Sequence, residues 1–561
     1  MKLIKFIVFM LVTFLIGCSQ QEKVNVAPEP INPQLNFKPN ILWVVAEDLS
    51  PYIPSFGDST VVTPTLDRLA AEGVCYDNFY ASAPVCAPAR ASIIMGMYPN
   101  HIAASHMRTG PWAGGTPSEE ALKAYALRLP EGLKPYEAIP PADAKMFSEI
   151  LRMNGYYTTN NAKQDYQFIR ALTAWDQNGR QAHWRNRPKG KPFFSIFNFE
   201  VTHESRIWVK AEDSLWVDEN LEVPVPPYLP NTDIGIKDVR RMYSNVVEMD
   251  YQVGKILDQL EEDGLLDSTI VMWYTDHGGP LPRHKRLMYE SGIKVPMIVR
   301  FPNQLFAGRR DDRMINFVDL APTVLSLAGL KPPKNMDGSA FLGENIRDSE
   351  TKYVYAAGDR FDENTDRNRT VRDNRFRYIK YYQPEKSMFL HIPYRDQMPI
   401  MQELYRLRDN GKLTELQAQW FRDTKPDEEL FDCQEDPHNL INLAGDPQYA
   451  DKLAELRQAN EAWVTSINDT GLKPEQELFA DLWPDGTQPK TADPVLVVNN
   501  NKIAISCETD GASIGYQWLD TGEEPGNSWE VYTQPIELVS GKEIMVVSHR
   551  IGYVPGNFIR Q

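Results

Sequence analysis

Two apolar runs of strand length end in charged pairs, and that arrangement constrains the fold more than any other feature of the chain. Ile41 to Ala46 leads straight into Glu47-Asp48, and Thr269 to Tyr274 leads through Thr275 into Asp276-His277. A short uninterrupted apolar run suits a strand buried on both faces, the usual state in a parallel sheet. Phe193 to Phe199 and Val295 to Phe301 read the same way. Helical patterns fall between these runs. Thr63 to Glu72 carries Thr63 as a cap and Pro64 at the first helical position. Val239 to Glu262 spaces Met242, Val246, Met249, Val253, Ile256, Leu257 and Leu260 along one helical face, and Phe317 to Leu330 reads as an amphipathic helix. Strands alternating with helices predict an α/β fold, a mostly parallel central sheet sandwiched by helices. In open sheets of this kind ligands bind at the carboxyl ends of the strands. Glu47, Asp48, Asp276 and His277 all stand at such ends.

After about residue 345 the pattern changes. Tyr353 to Ala357 and Arg375 to Tyr382 read as strands, and Pro447 to Ile467 as a long helix. A linker rich in Pro, Asp and Gly covers Leu482 to Pro494. Residues 495–561 alternate short strands with turns at Asp510-Gly511, Ser540-Gly541 and Pro555-Gly556, the pattern of a small β-sandwich-like module. Its Trp518, Trp529 and Tyr532 suit either a glycan platform or a packed core, and packing is the commoner use of such rings. There is no internal repeat.

The start of the chain sets an address. Lys2 and Lys5 precede the apolar run Phe6 to Ile16, and Leu15-Ile16-Gly17-Cys18 has the form of a bacterial lipobox. The run is too short for a permanent membrane span. The expectation is a signal peptide over 1–17 cut before Cys18, a lipid on that thiol, and a flexible tether over 18–37 containing Gln20, Gln21, Pro28, Pro30 and Pro33. The body is then a lipid-anchored bacterial lipoprotein of the cell surface, outer membrane or periplasm, touching the membrane through its anchor alone. With 561 residues, 42% of them hydrophobic, the chain has material for two or three domains with large cores. Its formal charge of −17 argues against nucleic acid as a partner, and any anionic substrate needs a local basic cleft. Cys75, Cys433 and Cys507 show no metal-binding spacing, and sequence leaves open whether any pair forms a disulfide.

Cys86-Ala87-Pro88-Ala89-Arg90 reads Cys-x-Pro-x-Arg, and Arg90 to Pro99 (RASIIMGMYP) continues it. With Asn40 to Asp48, Thr275-Asp276-His277-Gly278-Gly279, and Glu429-Leu430-Phe431-Asp432 followed by Asp436-Pro437 and Asn442-Leu443, this resembles the type I sulfatases of the alkaline phosphatase superfamily over roughly residues 38 to 465. The Asp276-His277 pair resembles the heparan N-sulfatase-like branch. The resemblance implies a catalytic α/β domain over 38–345 and a smaller antiparallel α+β subdomain over 346–481. It also implies that a maturase oxidises Cys86 to formylglycine, whose hydrate attacks sulfur with one hydroxyl and expels sulfate with the other.

The same resemblance implies one calcium ion held by Glu47, Asp48, Cys86, Asp276 and His277, a hard-cation set. Glu47 departs from the usual aspartate. Arg90 is expected to hold the diol or a ligand carboxylate, and Lys163 to contact sulfate. Asp165 stands where many members have histidine, so it is the expected base for sulfate release, a weak one unless burial raises its pKa. His203 and Lys285 are expected to serve the leaving oxygen. His106, Arg108, His284, Arg360 and Asp362 are expected to line the sugar-binding cleft. The activity so implied is hydrolysis of sulfate esters on a sulfated polysaccharide or oligosaccharide, an algal glycan such as ulvan or a glycosaminoglycan. Two alternatives stay open: a phosphodiesterase or phosphonate hydrolase of the same superfamily, and a non-catalytic glycan-binding lipoprotein.

Overall fold

The computed structural model describes residues 30–112, 117–347 and 349–561. The expected signal peptide, Cys18 and the first part of the tether lie outside the described residues. Among the described residues no helix is long and apolar enough to cross a membrane. Cys75, Cys86, Cys433 and Cys507 are all unpaired.

The first nine strands are β1 (Asn40–Ala46), β2 (Val74–Tyr80), β3 (Tyr157–Asn161), β4 (Gln177–Asn178), β5 (Phe193–Phe199), β6 (Thr269–Thr275), β7 (Lys294–Arg300), β8 (Arg309–Asp311) and β9 (Ile315–Asn316). They form one sheet in the order β4-β3-β5-β1-β6-β7-β2-β8, with β9 beside β2. β1 lies between β5 and β6 and is parallel to both. β3 is parallel to β4 and β5, and β2 to β8 and β9. Only β7 runs the other way, antiparallel to β6 and β2. The reason lies in its approach: the segment between β6 and β7 stays over the carboxyl edge, where it carries His277 and Lys285, so the next strand starts from that edge.

β1 is buried at every position, as its unbroken apolar run predicts. Trp43 sits at its centre, its ring 5.0 to 5.3 Å from those of Phe147, Phe194 and Tyr274. Truncating such a residue to Ala costs about 3–5 kcal/mol. The helices Pro64–Glu72 and Asp233–Glu262 pack together. Thr63 holds the expected N-cap position, but its side chain makes no capping bond. The orphan donors of Thr65 and Leu66 go instead to the Asp250 carboxylate of the neighbouring helix, at 3.1 and 2.8 Å.

A second, antiparallel sheet follows, formed by β10 (Val354–Phe361), β11 (Asn364–Arg372), β12 (Phe376–Tyr381) and β13 (Glu428–Asp432) in that order. Helix Ala450–Ser466 covers it, with Leu453 and Leu456 against Val371, Tyr378 and Leu430. The last strands are β14 (Val495–Asn499), β15 (Lys502–Ser506), β16 (Ser513–Leu519), β17 (Glu530–Val531), β18 (Ile536–Glu537), β19 (Glu543–His549) and β20 (Ile559–Arg560). They make two small sheets, β14-β15-β18 and β17-β16-β19-β20, around Ile503, Ile505, Ile544 and Val546. This C-terminal part docks on the α/β body. Arg152 donates to the Trp529 carbonyl at 2.8 Å and Lys145 to the Ser513 hydroxyl at 2.9 Å. Gly511 (φ 75°) approaches so closely that a Cβ there would sit 1.8 Å from the Ala142 carbonyl oxygen. Trp529 is buried, while Trp518 and Tyr532 pack against the small core, so all three rings serve packing.

Candidate active site

Register brings the charged pairs together. Ala46 lies between Phe199 of β5 and Thr275 of β6. Past the strand ends, the Glu47 amide donates to the Phe199 carbonyl and the Asp276 amide to the Ala46 carbonyl, at 3.2 and 3.3 Å. Asp48 then takes a left-handed turn (φ 44°), which aspartate tolerates. Its amide donates to Asp276 at 3.2 Å.

Cys86 is the first residue of helix Cys86–Met95 and is fully buried. Pro88 falls in the first helical turn, where a missing N–H is harmless. The Cys86 Sγ lies 3.2 Å from His277 Nε2, and that nitrogen lies 3.0 Å from Asp48 Oδ1. Asp48, Cys86, Asp276 and His277 each bring one donor atom into a buried group whose members all lie within 4.8 Å of one another. His277 Nδ1 is 3.0 Å from the Gly278 carbonyl. A proton on Nδ1 donated to that carbonyl leaves the Nε2 lone pair facing the group, as a ligating imidazole requires.

Cations ring this centre. Lys285 Nζ contacts both oxygens of Asp48, at 3.1 and 3.0 Å, and lies 3.3 Å from Glu204. His203 Nε2 is 3.4 Å from Lys285 Nζ, and His203 Nδ1 is 2.9 Å from the Ser205 hydroxyl. Arg90 donates to Asp276 at 3.0 Å, to Glu47 at 3.1 Å and to Asn198 at 2.7 Å. Burial pushes the Cys86 thiol up, but Lys285, Lys163 and His277 outweigh it and bring the pKa down to about 6. The helix N-terminus favours the same anionic form. Burial pushes His277 down, and Asp276, Cys86 and Asp48 carry it up to about 10.

Glu47 stands apart from the metal-type group. Its carboxylate pairs with Arg90 and Lys163 instead of joining the four-residue group. Asp165 is left-handed (φ 57°) and buried, 3.2 Å from Arg108 and 4.0 Å from Lys163. Burial raises its pKa, but Arg108, Lys163 and Arg90 hold the carboxyl well below the usual range. A carboxylate so held is a poor proton acceptor.

The residues expected along the sugar cleft divide into two groups. Arg108 is part-exposed, and Asp362 accepts from Arg286 at 2.8 Å near the same rim. His106 and Arg360 are buried instead, and both face Glu475, at 3.6 and 2.7 Å. Arg360 also donates to the Met107 and Asp362 carbonyls. His284 is buried against the Tyr228 hydroxyl at 2.8 Å, and burial pushes its pKa down to about 3. His106, His284 and Arg360 therefore support the wall from within.

Three residues of the site escaped sequence reasoning. Asn198 accepts from Arg90 and donates to Asn160 at 3.2 Å. As a polar residue near the end of an apolar strand it left a readable signal. Glu204 donates its amide to Asp48 at 2.7 Å and accepts a two-pronged bond from Arg286, both at 2.8 Å. Glu204 and Arg286 directly follow His203 and Lys285, so each lies one position beyond an expected site residue.

The sulfatase family profile matches residues 39–330, and that of the N-sulphoglucosamine sulphohydrolase C-terminal region matches 283–425. An ulvan-active sulfatase of Formosa agariphila is 47% identical over 558 residues, covering 93% of this chain and 91% of that protein. Human N-sulphoglucosamine sulphohydrolase is 24% identical over 471 residues, covering 77% and 90%. A solved structure in complex with D-glucosamine-2-N,6-O-disulfate shares the fold, with a TM-score of 0.56 at 18% identity over 78% of this chain and 100% of the other.

Proposed function

This chain belongs to the sulfatase family, a family of sulfuric ester hydrolases, and we propose that its substrate is a sulfated polysaccharide, with ulvan the specific choice. The observation that carries this reading is the 47% identity to an ulvan-active sulfatase over 93% of the chain. The buried donor group around Cys86 supports it chemically.

The donor set bears on the modification and the ion together. Calcium prefers oxygen ligands, whereas a thiol is soft. With Cys86 as a thiol, Asp48 and Asp276 are the oxygen donors, beside one nitrogen and one sulfur. Replacing the sulfur by a hydrated aldehyde makes a third oxygen donor, so formylglycine and calcium fit each other here. We infer that Asp48, Asp276, His277 and modified Cys86 hold the ion. When formed, the hydrated aldehyde supplies a hydroxyl nucleophile and a second hydroxyl for release, and the ion supplies positive charge to the sulfate oxygens.

The remaining roles belong to the chain's own side chains. Lys163 reaches the sulfate from the Glu47 side. Arg90, fixed by its three partners, holds Asp276 and Glu47 in place. Lys285 and His203, 3.4 Å apart, stand where a leaving oxygen needs a proton or a positive neighbour. Asp165 aims Arg108 rather than taking a proton, because its carboxylate is held ionised. The lipobox at Cys18 supports an envelope location, where a secreted polysaccharide is met, and Cys86 requires a maturase as partner.

The test is sulfate release from ulvan oligosaccharides by protein co-produced with a maturase, beside turnover of an aryl phosphodiester. Release of sulfate with little diester turnover is the expected result. Diester turnover without sulfate release overturns the reading in favour of a phosphodiesterase, and neither activity in protein with modified Cys86 favours a glycan binder. Chelation should lower the thermal midpoint of active protein and calcium should restore it.

A further inference from the structure

Next to the catalytic centre, beyond Lys163, the carboxyl ends of β3 and β5 open into a cleft of about 570 Å³. Lys163, Arg180, Arg206 and Lys210 line it, against the carboxylates of Glu200 and Glu248. In a chain of net charge −17, this basic surplus runs against the overall field. Lys210 pairs with Glu248, and Arg206 lies 3.7 Å from Glu200. Arg180 is exposed, and no ion pair to it is found among the described residues. Its planar fork is thus available to a sulfate or carboxylate. Lys163 is shared: it lines this cleft and also pairs with Glu47 beside Arg90, so the two spaces have a common wall.

A second feature lies close by. Helix Asp233–Glu262, which lends Glu248 to the cleft, carries Tyr251 less than one turn further on. The Tyr251 ring lies 5.2 Å from that of Trp216, and the two residues are 50% and 46% exposed. Rings this large are normally covered; this pair is tilted by 39°, the Lys255 ammonium lies 5.0 Å from the Tyr251 ring centroid, and the half-exposed Trp216 ring offers apolar surface to a partner. The C–H face of a pyranose ring matches such a surface.

We propose that this cleft is a second saccharide subsite. It holds an anionic sugar unit of the same glycan chain whose neighbouring sulfate occupies the catalytic centre. Arg180 binds the charge of that unit, and the Trp216–Tyr251 surface stacks the ring beyond it. The proposal rests on the reading that the substrate is a sulfated polysaccharide. Its consequence is a preference for chains over single sugars.

The test compares ulvan oligosaccharides with a small aryl sulfate on the matured full chain and its Arg180→Glu and Trp216→Ala variants. Arg180→Glu should raise KM for the oligosaccharides at least about tenfold, from the loss of a hydrogen bond between charged groups with repulsion added, with kcat unchanged. Aryl sulfate turnover should not change in either variant. Trp216→Ala should raise the same KM, and its defect, unlike that of Arg180→Glu, should persist in high salt. Oligosaccharide kinetics equal to those of the unsubstituted enzyme in both variants would overturn the subsite. If the unsubstituted enzyme releases no sulfate from ulvan, the substrate reading has failed separately. Calorimetry with ulvan oligosaccharides on the Cys86→Ser chain then decides the cleft: weaker binding by Arg180→Glu in that background supports it, and equal binding overturns it.

Discussion

Lys285 and Asp48 make a buried ion pair at 3.0 Å, with side chains 3% and 0% exposed. Glu204 joins them from one side, with Arg286 behind it and Asp362 at the end. Burial pushes Lys285 down, but Asp48, Cys86 and Glu204 hold its pKa well above the ordinary lysine value. Asp48 is likewise held low: burial raises it, and Lys285, His203 and His277 outweigh that. Each charge exists in the interior because the other does.

Lys285→Ala should therefore damage two properties at once. Loss of a group serving the leaving oxygen should lower kcat by roughly 10²- to 10⁴-fold. Leaving Asp48 and Glu204 buried without their ammonium should cost about 3–5 kcal/mol of stability. Saturating kinetics and a urea midpoint measure the two separately. A kcat within a few-fold of the unsubstituted enzyme would remove Lys285 from the reaction.

Cys86→Ala should abolish sulfate release while leaving the fold intact. The thiol is a small group at a helix start, and its removal should cost at most about 1–2 kcal/mol. The checks are sulfate release by ion chromatography and the thermal midpoint. Retention of most activity by the variant would refute covalent catalysis at this position.

The contrast between Cys86 and Arg360 explains what could be read from sequence. Strands β1, β5 and β6 are buried on both faces almost throughout, so each appeared as a mostly apolar run, and their common direction put Asp48, Asp276 and His203 on one edge. Cys86 was legible through its local motif. Arg360 was not, because its partner Glu475 lies 115 residues away, and sequence does not reveal whether a basic residue already has a buried carboxylate. The buried partners of His106 and His284 were hidden for the same reason: the two rings turn toward Glu475 and Tyr228. Glu47 was placed on the correct edge, but which cation it reached depended on side-chain direction past the strand end. The reversal of β7 was hidden because a connection kept at one edge has no compositional mark.

Glu290 offers a stability prediction away from the chemistry. It accepts from Arg372 at 2.9 Å and from Arg377, joining the helix Glu290–Ile293 to the second sheet. Burial raises its pKa, but the two guanidinium groups hold it far below the usual carboxylate range. A depressed pKa gives stability that is present above the unfolded value of about 4.3 and is lost as pH falls toward the folded one. Glu290→Gln should cost about 3–5 kcal/mol near neutral pH. The gap to the unsubstituted protein should narrow as pH drops below about 4. Denaturant midpoints across that range measure it, and a gap that stays constant would remove the charge from the explanation.

Glu137 should show the opposite slope. Its carboxyl accepts from the Ile169 amide at 2.6 Å and from Gln488 at 2.8 Å, next to the docked C-terminal module. Burial pushes its pKa up to about 7, and these two donors only partly oppose the rise. A raised carboxyl pKa means the folded state holds the proton more tightly. The resulting stability is complete below the unfolded value of about 4.3 and is lost as pH rises through about 7. The loss is about 4 kcal/mol at most, because each tenfold gain in proton affinity on folding is worth about 1.4 kcal/mol. Glu137→Gln stays neutral, so its stability should lack this decline between about pH 4 and 7 while the unsubstituted protein shows it. Hydrogen exchange at residues 138–142 and 510–513, where the module meets the body, should speed up with rising pH beyond the intrinsic chemical rate in the unsubstituted protein alone. Parallel pH profiles for the two proteins would show that Glu137 does not titrate on the docked face.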